Sequence, residues 1–520
     1  MAGYTTTIKQ GEIKNIWGWV SYVLGNVAIA SVPTVTLYDP TGTAVVAATG
    51  VRTLANSIGY GIYPNTKYLL DTTALTVGCY SAVFKIPILD QYGALDTVLS
   101  NVTINIVPTN SVIQSVDFTP PAYVLAFPLP FFGVGNTICG TKANAGTGMG
   151  ISTSAFLTDA NLKGTYVTSH IAEHDFTDIR VHYTNLSVET PNTNTVKYGS
   201  ALRFNGNFYP FTFNGAHVGQ VPQAGPLTSD KRSDLSFVKG QQYQIVTYYE
   251  LPTGGRVPVM IFTSVSVAGE GYLTNVDYTL VNTNVTSVAL NAAAPQAITG
   301  TVSYPVPSIF LLGDSIIAGQ GSTQVDTGCW YWALNGDFSY IKKGRSSDTI
   351  ATFVSAAGHI NGLPYIKGCT HCILAFGHND LYTLGSSAAT VAALIVKGIA
   401  LVKAMQPGIR VYIPDVTPTS STTDQWATTG NQTVVNPSAN TQRIALNALI
   451  AAGLTGADYI NGLPYIPITN LYETAPGSSI IVVNGSAFGY TVDGTHPSDN
   501  FGQTILYPSI GSILASTFVV

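Results

Sequence analysis

Along residues 1–108 apolar and polar positions alternate with a period of two, as half-buried strands require. "PTVTLYDPTGTAVV" reads as a strand, an Asp-Pro-Thr-Gly turn and a second strand, and "GCYSAVFKI" and "LSNVTINIVP" add two more. Short strands with turn signals every ten or so residues predict an immunoglobulin-like β-sandwich, read as an attachment or spacer domain. Residues 109–145, rich in Pro, Phe and Gly, read as a linker or docking strap. From 146 to 304 the strand pattern resumes in "DIRVHYTNLSV", "TVKYGSALRF" and "QYQIVTYYEL", predicting a second sandwich of jelly-roll size, a candidate carbohydrate-binding domain.

The pattern changes at residue 305. "SIFLLGD" (308–314) is a continuous apolar run, as a strand buried on both faces requires. "GCTHCILAFGHND" and "IRVYIPDVTP" contain two more such strands. Between them "SSAATVAALIVKGIALVKAMQPG" (386–408) has a Ser start, an i, i+3, i+4 apolar stripe and a Pro-Gly stop, and so predicts a helix. "NTQRIALNALIAAG" predicts a second. Strand followed by helix, repeated, gives a parallel sheet flanked by helices. In such sheets ligands bind beyond the carboxyl ends of the strands, which puts Ser315, Asn379 and Thr417 on one rim. The heptapeptide "INGLPYI" occurs at 360–366 and again at 460–466 with unmatched flanks, and is read as a shared turn requirement.

Composition narrows the picture. Only 9% of the 520 residues are charged against 46% hydrophobic, with a net charge of -5 and abundant Gly and Tyr (51 and 29). Such a chain folds into two to four β-rich domains with a neutral, hydroxyl-covered surface. Its 22 Lys and Arg residues form no dense run, which excludes a nucleic-acid partner. The longest apolar stretch, 120–135, is broken by prolines and too short to cross a bilayer. "MAGYTTTIKQ" has neither a basic nor an apolar signal region, so the expected localisation is a virion surface, with a secreted or cell-surface bacterial protein as the alternative. A homo-oligomer stays open, although no heptad run supports one.

Five dispersed cysteines imply no disulfide framework. Cys369-Thr-His-Cys372 has CxxC spacing but lacks a second pair for zinc and runs into a strand, so inert buried thiols are expected. His170 and His174 stand four apart beside Asp175. That is metal spacing on a helix, but without a helical period a loop or surface pair is expected. No metal or other cofactor is expected.

Ser315 carries the candidate chemistry. A serine hydroxyl is a poor nucleophile unless a base takes its proton. His496, in "DGTHPSD", has Asp493 three residues before it, placed to hold the imidazole in one tautomer. "GDS" (313–315), Gly344 in "KKGRSSDT", "GHND" (377–380) and "DGTH" (493–496) together resemble, in order, the four signature blocks of the SGNH, or GDSL, hydrolase family. The resemblance covers about 305–515. It extends to 417–433, "TPTSSTTDQWATTGNQT", which is similar to a segment of SGNH proteins with an upstream β-sandwich.

The resemblance implies a flavodoxin-like three-layer α/β/α domain over 305–520. It makes Ser315 the nucleophile, His496 the base and Asp493 its orienting acid. Ser315 N–H, Gly344 N–H and the Asn379 side chain would form the oxyanion hole. Where this chain has Ser347 the family often has a second small residue. His378 would shape the pocket, and Asp314 would anchor the turn. The implied reaction is ester hydrolysis through an acyl-enzyme. With a Tyr-rich neutral surface, the expected substrate is an O-acetylated or similarly acylated cell-surface glycan, and other virion proteins are expected partners through the N-terminal domain. The alternative is a decoration or glycan-adhesion protein whose hydrolase-like domain has little or no activity.

Overall fold

The structure is a computed structural model. It describes the strands alone through residue 158, then residues 162–185, 194–221, 226–258, 260–261, 271–281, 291–302, 306–320, 328–334, 338–355, 366, 368–406, 408–460, 462–510 and 514. The chain divides into two units: Met1–Asp117 with Pro407–Arg410 and Thr455–Gly462, and the remainder from Phe118 to Val520.

In the first unit Thr34–Tyr38 and Ala44–Thr49 pair antiparallel, as the Asp-Pro-Thr-Gly turn predicts. Gly78–Leu89 lies between Thr34–Tyr38 and Leu95–Val107, antiparallel to both, and Tyr4–Lys9 adds a parallel pair with Leu95–Val107. A separate antiparallel sheet joins Ile13–Gly18, Asn65–Asp71 and Val51–Thr53.

The second unit opens with two antiparallel sheets. One is built on Lys163–Ala172, Gln242–Glu250 and Val196–Phe204, the other on Phe176–Thr184 and Ala297–Thr301. Their inward side chains share one core, with Tyr166, Tyr198 and Ile245 from the first sheet against Phe176, Val181 and Ile298 from the second. Two short strands, Thr137–Ile138 and Gly140–Lys142, come from the end of the stretch read as a linker and join one sheet each. Of the expected loop or surface pair, His174 does lie in the loop between Lys163–Ala172 and Phe176–Thr184, but neither residue is at the surface. Strand alternation turns His170 inward, where it is fully buried and stacks on Tyr243. His174 is buried too, and burial pushes it down to about 4. Among the described residues no His, Cys, Asp or Glu group is arranged to hold a metal.

The C-terminal part of this unit is a four-stranded sheet. We number its elements β1 (Ser308–Gly313), α1 (Ser315–Ala318), α2 (Gly328–Leu334), β2 (Ser339–Gly344), α3 (Ile350–Ser355), β3 (His371–Ala375), α4 (His378–Tyr382), α5 (Ala388–Met405), β4 (Arg410–Tyr412), β5 (Ser420–Thr422), β6 (Gln432–Val434) and α6 (Pro437–Ala451). The sheet order is β2-β1-β3-β4, and β1 runs parallel to both neighbours. Every residue of β1 is buried, which accounts for its unbroken apolar run.

Two of the helices start where their caps dictate. The Ser387 side chain accepts from Thr390 N–H at the head of α5, and Asn436 accepts from Ala439 N–H before Pro437 at the head of α6. By length and composition α5 is apolar enough to cross a membrane. Here it is a core helix, with Val391, Ile395, Ile399 and Val402 buried. The second heptapeptide copy ends at Ile466, which bridges Pro414 and takes its place beside the sheet. The first copy lies, apart from Ile366, outside the described residues.

Candidate active site

The turn that carries Ser315 follows from three residues. β1 ends at Gly313, and Asp314 caps α1 by accepting the Ile316 N–H at 2.9 Å. Gly319 closes α1 after one turn in the left-handed conformation. Ser315 thus stands on a short helix at the carboxyl end of the sheet, 8% exposed.

The histidine arrives from 181 residues downstream on a tight loop. Thr491 and Pro497 bridge its neck, and the Thr491 hydroxyl donates to the His496 carbonyl at 3.0 Å. Inside it, Asp493 Oδ1 accepts both the Thr495 and the His496 N–H at 2.9 Å, and Oδ2 lies 2.7 Å from His496 Nδ1. On the far side of the ring, His496 Nε2 lies 2.9 Å from Ser315 Oγ. Burial alone would raise the Asp493 carboxyl, but the hydrogen bond and charge of His496 hold it down at about 2. An ionised Asp493 accepts a hydrogen bond from Nδ1–H and so keeps the proton on that nitrogen, which leaves the Nε2 lone pair for the serine hydroxyl. The three side chains therefore form one hydrogen-bonded series of hydroxyl, imidazole and carboxylate, the arrangement that nucleophile, base and orienting acid require.

Asn379 sits at the head of α4, just past β3, and its Nδ2 donates to the Asp348 carbonyl at 2.9 Å. A primary amide has two N–H donors, and this bond occupies one. Asp380 accepts the Ile350 and Ala351 N–H groups at 2.9 and 3.1 Å, fixing α4 to the start of α3.

Gly344 requires a correction. It closes β2, where an added Cβ would fall 2.2 Å from Ala318 N, so the close approach of α1 accounts for the glycine. In the parallel register it faces Gly313, and the Arg345 N–H donates to the Gly313 carbonyl. That alternation turns the Gly344 N–H to the outer edge of the sheet, away from β1, and so away from the anion site expected of it. Ser347, in the loop that follows, has a φ of 60°.

Residues just past β1, β3 and β4 converge as the topology predicts. Asp314, Phe376, His378, Asp415 and Thr417 line one cavity of about 30 Å³, room for a single water-sized group. His378 is a wall of this cavity. Its Nε2 lies 3.2 Å from Thr419 Oγ1, its ring stacks on Tyr382, and burial with neighbouring His496 pushes it down to about 4. Cys369 and Cys372 are both buried, and burial raises both thiols above their ordinary range.

One prediction concerns pH. Burial pushes the Asp314 carboxyl up to about 7, against the pull of the Ile316 N–H and of His496. Burial likewise pushes Asp415 up to about 6. The folded state therefore holds these protons more tightly than the unfolded chain, whose carboxylates titrate near 3.8. The stabilisation is complete below that value and is lost as pH rises through about 6 to 7. Asp314→Asn keeps the acceptor for Ile316 and removes the titration. The fall in Tm between pH 5 and pH 8 should be smaller in the variant than in the wild type, and equal falls would contradict the assignment.

The sequence of residues 311–500 matches the GDSL-like lipase/acylhydrolase family. These residues form a GDSL-like lipase/acylhydrolase domain. It is the domain of an ester hydrolase of SGNH type, and the matched stretch takes in both "GDS" and "DGTH", which the fold joins through Ser315 and His496.

The chain is also similar to several solved structures. A family two carbohydrate esterase from Clostridium thermocellum, in complex with cellohexaose, is 12% identical; the match covers 71% of this chain and 97% of that one at a TM-score of 0.30. A peptidoglycan O-acetylesterase is 9% identical over 73% and 76% of the two chains, with a TM-score of 0.29. A carbohydrate esterase family 3 protein from Talaromyces cellulolyticus is 14% identical over 40% and 97%, with a TM-score of 0.26. These likenesses are too distant to carry a substrate to the GDSL-like domain. No curated protein matches the chain.

Three features of the GDSL-like domain escape a reading of the sequence. Arg443 and Glu473 form a fully buried ion pair at 2.7 Å. Asp415 accepts the Ile468 and Thr469 N–H groups at 2.7 and 3.0 Å, holding that loop against β4. Trp426 packs on the "DGTH" loop at Gly494. A lone Arg on a helix, an Asp after a strand and a Trp in a polar loop carry no spacing signal.

Proposed function

We propose that this ester hydrolase removes O-acetyl or similarly small acyl groups from a cell-surface glycan. The observation that carries the reading is the continuous bond path Asp493–His496–Ser315, with contacts of 2.7 and 2.9 Å. In this reading Ser315 Oγ attacks the ester carbonyl while its proton passes to His496 Nε2. Asp493 stabilises the imidazolium, the alcohol leaves with that proton, and water then releases the acid through the same base. The oxyanion donors are the Ser315 N–H and the second N–H of the Asn379 amide. The loop at Arg345–Asp348, tied to Asn379 through the Asp348 carbonyl, supplies a third in place of Gly344. Support for a small acyl group on a sugar comes from the neutral, hydroxyl-rich composition.

The test is acetate release from an O-acetylated polysaccharide by the wild type and by Ser315→Ala. Release by the wild type alone supports the reading, and equal release by both contradicts it. Asn379→Ala should lower kcat by about 10²–10³ with a much smaller change in KM, because its second N–H acts on the charge that develops at the transition state. A change confined to KM would place Asn379 in ground-state binding instead. A position on a particle surface, with the first unit as the attachment to other particle proteins, extends this proposal from composition alone. Detection of the chain in purified particles tests it.

A further inference from the structure

Beside the "DGTH" loop lie two residues that neither the core nor the relay accounts for. Trp426 and Phe488 bring their rings to a centroid distance of 6.0 Å at 47°. Phe488 is 45% exposed, and Trp426 is half-buried. Both stand in the left-handed backbone region, with φ values of 59° and 55°, and Gln425 beside Trp426 does as well, at 59°. Bulky residues avoid this region, and such conformations persist where surrounding contacts impose them, commonly at binding sites.

The contacts that impose them are present. Asp424 accepts from the Thr422 and Thr428 hydroxyls, both at 2.6 Å, from Thr428 N–H at 3.0 Å and from Asn431 Nδ2 at 2.9 Å. This locks the loop that joins β5 to β6. Trp426 Nε1 donates to Ser420 Oγ at 2.9 Å, and Phe488 N–H donates to the Gln425 carbonyl at 2.7 Å, so the two loops hold one another. The indole then lies on Gly494, where an added Cβ would fall 2.5 Å from Trp426 Cζ2, and Ser420 N–H donates to the Gly494 carbonyl at 3.0 Å. The aromatic pair is thus fixed to the loop that carries His496, two residues along.

We propose that Trp426 and Phe488 form a platform on which a sugar ring of the acylated substrate stacks, seating its ester at Ser315. The inference rests on the esterase reading and adds to it the part of the substrate that is not hydrolysed. The surroundings select the occupant. Across 419–434 and 484–496 the acidic residues are Asp424, turned into its own loop, and Asp493, held by His496, and there is no Lys or Arg. The remaining polar groups are hydroxyls and amides, such as Thr423, Gln425, Asn431 and Asn484. Flat apolar faces rimmed by neutral hydrogen-bonding groups match a pyranose, which has C–H faces and a rim of hydroxyls, better than they match an acyl chain or a charged ligand. Binding energy from that remote ring would serve to orient the ester.

The test compares Phe488→Ala and Phe488→Tyr with the wild type on partly O-acetylated cello-oligosaccharide, 4-nitrophenyl acetate and 4-nitrophenyl octanoate. The alanine variant should raise KM for the oligosaccharide by about tenfold more than for 4-nitrophenyl acetate, and the tyrosine variant should recover most of that loss. Equal factors on the two acetates would overturn the proposal, and so would a loss selective for the octanoate, which makes the occupant an acyl chain. A titration needs no turnover. In the Ser315→Ala background, Phe488→Ala should weaken oligosaccharide binding about tenfold. Unchanged binding, or no binding by Ser315→Ala itself, would also overturn it. A wild type that hydrolyses none of the three esters would contradict the esterase reading, and the titration would still decide the platform.

Discussion

Ser315→Ala should abolish ester turnover, lowering kcat on a simple acetate by about 10⁴ or more, and His496→Ala should do nearly the same. The two residues act as one unit, because a serine hydroxyl 2.9 Å from Nε2 is nucleophilic only while that nitrogen accepts its proton. The double variant should therefore be no slower than the worse of the singles. Strictly multiplied losses would mean that the two side chains contribute separately, contrary to the relay. Asp493→Asn should cost less than either but still about 10² or more, since an amide cannot hold the imidazolium and favours the wrong tautomer. These rates, measured with 4-nitrophenyl acetate at saturating concentration, separate a relay from three neighbouring polar residues.

The largest stability effect is expected away from the chemistry, at Arg443. Its guanidinium is fully buried and donates to Glu473 at 2.7 Å, to Asn440 at 2.9 Å, to Ser479 at 3.0 Å and to the Val416 carbonyl at 3.2 Å. Glu473 in turn accepts the Ser479 N–H at 2.7 Å. This network ties α6 to the segment after β4 and to the loop at 473–479. Removing one partner leaves the other charge buried and uncompensated, so Arg443→Met should cost about 3–5 kcal/mol. Glu473→Leu alone should cost a similar amount. Arg443→Met with Glu473→Leu should cost clearly less than the sum, because an apolar pair carries no stranded charge. The denaturant midpoint for loss of esterase activity gives all three values. Additive losses would mean that the pair is not coupled.

The parts of this molecule that the sequence reveals are those in which chemistry and local pattern coincide. β1 is readable because an unbroken apolar run has one solution, a strand covered on both faces, and Gly-Asp-Ser after it forces a turn with a cap. The start and end of α5 are readable from Ser387 and from Pro407-Gly408. The meeting of Ser315 with His496 is not in any local pattern. A separation of 181 residues is set by topology, and only the resemblance of four ordered blocks anticipates it.

Gly344 shows the opposite failure. The block around it is readable as a motif, but which of its backbone groups faces the serine depends on strand register, which the residue types do not encode. His170 and His174 were expected as a loop or surface pair because the sequence there lacks a helical stripe, whereas strand alternation buries His170, and His174 is buried within the loop that follows. Arg443 and Trp426 were invisible for a common reason. A single charged or aromatic residue reads as surface or core until the partners that hold it are known.

The measurement that bears most directly on the joining of Ser315 and His496 is covalent capture. An alkyl 4-nitrophenyl phosphonate presents a tetrahedral centre to an activated serine and leaves a stable adduct that intact-mass and peptide mass spectrometry can place. The wild type should take up one phosphonyl group, on Ser315, and His496→Ala should react far more slowly. An adduct on another residue, or a His496→Ala variant labelled as fast as the wild type, would contradict the account.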